Sequence, residues 1–145
     1  MKKRSQCPAT RVVMMPRDTN GMGNIFGGVI LSHIDLAGAV AVRGVCSNRV
    51  VTVCMQEVVF KKPVHVGDIL TCWAEVTKIG NTSVHTKVEV EVEREGEIIA
   101  VTAATIVYVA VDEKGEPTPV QRYKGKRPCA HNCDTAHRRK ATKRR

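Results

Sequence analysis

The sequence predicts an α+β domain in which one long helix is wrapped by a five- to six-stranded antiparallel sheet. Three observations carry this. Residues 28–45 are apolar almost all round, with Val29, Ile30, Leu31, Ile34, Leu36, Ala37, Ala39, Val40, Ala41, Val42 and Val45, as expected of a helix buried on every face. Residues 84–93 alternate: Val84, Thr86, Val88, Val90 and Val92 against His85, Lys87, Glu89, Glu91 and Glu93. A period of two marks a strand with one face in the core and the other in water. The other segments after the helix are long, rich in β-branched residues and separated by turn residues, the pattern of successive antiparallel strands.

Each element follows in chain order. Residues 1–10 are polar and basic and read as a loose arm. A short strand over 11–15 ends at Pro16, and Asp18-Thr19-Asn20-Gly21-Met22-Gly23-Asn24 is turn-rich loop. The helix over 28–45 would be about 27 Å long. Gly38 between Ala37 and Ala39 leaves room for close packing, and Gly44 with the Cys46-Ser47-Asn48 turn ends the helix. Strands are expected over 50–60, 69–79, 84–93 and 98–111, with turns at Val66-Gly67-Asp68 and Gly80-Asn81 and a hairpin at 94–97. A single helix cannot cover the apolar face of so large a sheet, so the layout predicts dimerisation.

Composition narrows the possible functions. At 145 residues the chain fits one compact domain. Its formal charge is +9, but residues 121–145 hold ten of the 23 basic side chains and one acid, Asp134. That leaves 13 basic and 13 acidic residues in 1–120, so the body is neutral and the basicity belongs to a tail. The domain boundaries are accordingly set at 11–120 for the body and 121–145 for a solvated, disordered tail. Aromatic residues make up 3% of the chain, too few for a surface that stacks single-stranded nucleic acid. Nucleic acid is therefore expected to bind only weakly, through the tail. Six cysteines, with Cys46, Cys54 and Cys72 in apolar stretches, read as reduced thiols in a cytoplasmic protein. Asn81-Thr82-Ser83 matches a glycosylation sequon that such a compartment would leave unused. No stretch is long and apolar enough for a signal peptide or membrane span.

Most ready-made chemistries fail. Gly21-x-Gly23-x-x-Phe26 lacks the sixth-place glycine of a dinucleotide fingerprint. The chain contains no phosphate loop, nucleophile elbow or paired metal-ligand motif. In the tail, Cys129, His131, Cys133 and His137 put four soft ligands in nine residues, but their spacing fits no zinc finger or knuckle. Neither a metal nor a cofactor is expected.

The feature that survives is Asp35, an acid inside an apolar helix. A carboxylate there is costly unless it is paired or used. One reading pairs it with Ser32 or with a neighbouring chain. The other takes it with Gly27-Gly28, which open the helix with unblocked amides able to polarise a carbonyl oxygen. A carboxylate beside a carbonyl polarised in this way is the layout for the attack of water on an acyl group.

Met15-Pro16-x-Asp18-Thr19-Asn20, followed by the run from Gly23 through Gly27-Gly28 to Asp35, resembles the hot-dog-fold acyl-CoA thioesterases, the bacterial and cytosolic acyl-CoA hydrolase group in particular. Val50-Val51-Thr52, Phe60-x-x-Pro63-Val64-x-Val66-Gly67-Asp68, Gly80-x-Thr82-Ser83 and Val109-Ala110-Val111-Asp112-x-x-Gly115-x-Pro117 extend the resemblance over residues 11–120. It implies a hot-dog fold and hydrolysis of acyl-CoA to CoA and a carboxylic acid. Asp35 would be general base or nucleophile, Asn24 would act from the facing subunit, and Gly27 and Gly28 would hold the thioester oxygen. Phe60, Lys61, Lys62, Gly80, Thr82 and Ser83 would bind CoA, with Lys78 another candidate for its phosphates. Assembly as a dimer and then a hexamer, a trimer of dimers, is also implied. His33, two residues from Asp35, points to another helix face and is not its partner. Two alternatives remain: a hot-dog module that binds acyl-CoA without cleaving it, and a nucleic-acid binder acting through the tail.

Overall fold

In the computed structural model, which describes residues 7–123, the chain runs β1 (Thr10–Val13), a 3-10 turn (Pro16–Asp18), α1 (Gly27–Arg43), β2 (Arg49–Gln56), β3 (Ile69–Ile79), β4 (Ser83–Arg94) and β5 (Glu97–Val111). All five strands join one antiparallel sheet in the order β1-β3-β4-β5-β2. The expected fold class is the one observed, with five strands. The alternating residues of β4 put Val84, Thr86, Val88, Val90 and Val92 in the core. Leu70 and Cys72 of β3 join them from one side, and Ala104, Ile106 and Tyr108 of β5 from the other. Helix α1 lies against this face through Ile30, Ile34, Ala37 and Val42. Between β4 and β5 the hairpin has positive φ at Glu95 (52°) and Gly96 (82°), as a two-residue turn matched to strand twist requires.

Several expectations need correction. α1 is not buried all round: Leu36 and Val40 are 58% and 45% exposed, because the sheet curls over only one side of it. β2, expected to reach residue 60, stops at Gln56 because Glu57 turns into left-handed backbone (φ 63°). The chain still follows β5 there, with the Lys61 N–H donating to the Val101 carbonyl at 2.9 Å. As an edge strand, β2 leaves Val51 and Val53 exposed. The body also extends past both expected boundaries. Ala9 bonds to Cys72. Beyond residue 120, Gln121 accepts from the Ser47 N–H at 2.9 Å and donates to Asn48 Oδ1 at 2.6 Å.

The thiols divide in two. Cys46, Cys54 and Cys72 are free, whereas Cys7 is disulfide-bonded. The expectation of reduced thiols throughout is therefore corrected: its argument from apolar surroundings does not reach Cys7, which lies in the polar N-terminal arm. No helix among the described residues is long and apolar enough to cross a membrane. The Cys/His group at 129–137 and most of the basic tail lie outside the described residues.

Candidate functional site

The helix that carries Asp35 is set by its entry loop. The Asn20 side chain accepts from the amides of Met22 (2.9 Å) and Asn24 (3.3 Å), folding the Gly-rich stretch on itself. Asp18 caps the preceding 3-10 turn by accepting from the Met15 N–H at 2.9 Å. The Asp18 carbonyl then takes the Phe26 N–H at 2.8 Å, and the Val64 carbonyl takes the Ile25 N–H at 2.8 Å. Phe26 ends this loop without a side-chain cap. The amides of Gly27 and Gly28 therefore have no hydrogen-bond acceptor among the described residues, as the first residues of an uncapped helix do not. A methyl at Gly28 would overlap the Phe26 ring, whereas one at Gly27 would make ordinary contact, 3.5 Å from Phe60 Cε2. Phe60 thus lies against the helix opening.

Asp35 lies two turns further along. It is half-buried, and the pairing with Ser32 does not form: Ser32 donates to the Val29 carbonyl instead, at 2.7 Å. The Asp35 Oδ1 atom accepts from the Thr52 hydroxyl of β2 at 2.7 Å. Tyr108 of β5 donates to the Asp35 backbone carbonyl at 2.6 Å, with its hydroxyl 3.2 Å from Oδ1. Burial, then the charge on Asp35, holds the Tyr108 hydroxyl well above the usual tyrosine range. Thr52 appeared in the sequence only within a motif and Tyr108 only as part of an apolar strand, so both were missed as partners of Asp35.

The remaining candidates fall into separate groups. Gly80 and Ser83 close a tight turn, with the Gly80 N–H on the Ser83 carbonyl at 2.8 Å, and a methyl at Gly80 would lie 2.7 Å from Ser83 Oγ. The Thr82 carbonyl takes the Ala110 N–H at 2.8 Å. Lys61, Lys62 and Lys78 are exposed. Asn24 is half-buried and makes no side-chain hydrogen bond to Asp35. Among the described residues no group of three or more His, Cys, Asp or Glu is placed to hold a metal.

Residues 22–99 match the Thioesterase superfamily. The chain belongs to that family. This thioesterase is 40% identical over 115 residues to the acyl-CoA thioester hydrolase YciA of Salmonella typhimurium, covering 76% of this chain and 86% of the relative. It also superimposes on a hexameric hotdog-fold thioesterase of Campylobacter jejuni with a TM-score of 0.73 at 48% identity, over 79% of this chain and 90% of that one. A hexameric broad-specificity acyl-coenzyme A thioesterase gives a TM-score of 0.78 at 37% identity, over 85% and 86%. The hot-dog expectation drawn from the sequence is therefore met.

Proposed function

We propose that this thioesterase hydrolyses acyl-CoA to CoA and a carboxylic acid at sites shared between two copies of the chain. The observation that carries this reading is the placement of Asp35 relative to the helix opening. Asp35 is seven residues beyond Gly28, about 10 Å along the axis at 1.5 Å per residue. Amides at a helix start point away from the residues that follow, so a carbonyl they hold lies farther still from Asp35 of the same chain. A second copy resolves the geometry. Its Gly27-Gly28 amides would polarise the thioester oxygen, and its Asn24 would orient water or substrate beside the first copy's Asp35.

The surfaces for that pairing are exposed: Leu36 and Val40 on α1, and Val51 and Val53 on the edge strand β2. Apolar patches of this kind mark association sites, and the hexameric relatives support assembly beyond a dimer. Within one copy, Thr52 holds the carboxylate, which serves as general base toward water or as nucleophile toward the acyl carbon. CoA would run past Phe60, Lys61 and Lys62 and the Gly80, Thr82 and Ser83 turn. Residues 9–122 form the catalytic unit in this reading.

Free-thiol release from short-, medium- and long-chain acyl-CoAs tests the proposal. The parent should turn over at least one class, and Asp35→Asn should not, while remaining folded and oligomeric. Binding of acyl-CoA without release by the parent would instead favour the non-catalytic module.

A further inference from the structure

Tyr108 is buried to 1% exposure on the core face of β5. Its ring lies over Gly38, three residues after Asp35 and so on a neighbouring part of the same helix face. A methyl at Gly38 would overlap the Tyr108 hydroxyl and come within 3.0 Å of both its Cζ and Ile106 Cδ1. Only the missing side chain at Gly38 lets the phenol reach the helix backbone. A buried tyrosine needs a partner for its hydroxyl. Here the partner is Asp35, through the carbonyl at 2.6 Å and Oδ1 at 3.2 Å. Thr52 occupies the same Oδ1 from the other strand, and Oδ2 accepts no hydrogen bond from any described residue.

We propose that Tyr108, seated over Gly38, is a positioning residue that pins Asp35 through its carbonyl and Oδ1 and leaves Oδ2 as the reacting oxygen. The inference rests on the proposed role of Asp35 and adds to it which oxygen works and what holds it. Burial and the neighbouring carboxylate keep the hydroxyl protonated, so it remains a donor at every working pH.

The test is thiol release by the full-length chain carrying Tyr108→Phe, alone and combined with Asp35→Asn. Tyr108→Phe should lower kcat roughly 10-fold, the scale of a hydrogen bond to a charged group, and leave KM unchanged. In the Asp35→Asn background it should cause no further loss, because residues acting through one group are not additive. A further 10-fold loss there, or an unchanged kcat in Tyr108→Phe alone, would overturn the inference. If Tyr108→Phe does not fold, Gly38→Ala displaces the hydroxyl while keeping it. That variant should lose kcat in the same way, and full kcat would again overturn the inference. Full activity in Asp35→Asn would overturn the catalytic reading itself. An inactive Asp35→Asn beside a fully active Tyr108→Phe would overturn this inference alone.

Discussion

The middle of α1 and its opening turn are built in opposite ways. Around Asp35 the side chains are tied, with Thr52 on the carboxylate and Tyr108 on the backbone carbonyl. At Gly27-Gly28 the backbone is anchored just upstream, through Phe26 to Asp18 and Ile25 to Val64, and the two amides carry no partner among the described residues. In the proposed reaction, the group that must keep one orientation is held, and the donors that would receive a substrate oxygen are left open. The same 17-residue helix supports both because its two ends of the chemistry would belong to different sites in the assembly.

Breaking the held centre should have the largest effect. Asp35→Asn is expected to lower thiol release by about 10²- to 10⁴-fold, the range of a lost acid–base group. Circular dichroism should show a parent-like fold, since the amide can still accept from Thr52. Breaking the support of the opening turn should act on stability instead. Asp68 is buried, accepts from the Arg94 guanidinium at 2.9 and 2.6 Å, and takes the His65 N–H at 2.9 Å. Arg94 also donates to the Pro63 carbonyl at 3.1 Å, fixing the loop whose Val64 carbonyl holds Ile25. Asp68→Asn should cost about 3 kcal/mol in urea unfolding, as for a buried ion pair losing one partner. The sign with pH is fixed by the same pair. Its hydrogen bond to Arg94 holds the Asp68 carboxyl below the usual range. Its contribution is therefore complete above the unfolded-state pKa of about 3.9 and is lost as pH falls through the lower folded value.

Smaller changes sharpen the contrast. Gly28→Ala forces the Phe26 ring off the helix opening and should reduce kcat/KM by about 10²-fold, the cost of a misplacement near 1 Å, with little change in unfolding. Thr52→Val should lower kcat about tenfold and Thr52→Ser should restore it, since the hydroxyl donates to a charged acceptor. The least effect is expected from truncation after Tyr123, which should leave kcat unchanged at high salt. Truncation after Val120 removes the Gln121 bonds to Ser47 and Asn48 and should cost about 1 kcal/mol, measured by thermal unfolding.

The sequence announced the sheet better than the site. β3 matches its expected bounds, and the valines of β4 face the core as their alternation requires. β2 was overrun because the left-handed turn at Glu57 follows from no residue-type signal; glycine or asparagine would have given one. Asp35 was legible as a charge in an apolar helix. Its partner Tyr108 was not, because the pairing depends on a gap at Gly38 that becomes meaningful only once β5 is laid across the helix. The exposed Leu36 and Val40 read as core for a related reason: apolar periodicity does not distinguish burial in one chain from the surface proposed here to pair two.

The central claim is that Asp35 and the helix opening work across a pair of copies. Co-expression of Asp35→Asn and Asn24→Ala chains under two different tags, with purification through both, tests it directly. Each variant alone should be nearly inactive. In mixed dimers one site combines both defects and the other is intact, so assemblies purified through both tags should recover about half of the parent sites as dimers, or about a quarter as randomly assembled hexamers. Doubly tagged assemblies that release no more thiol than either variant alone would contradict the account.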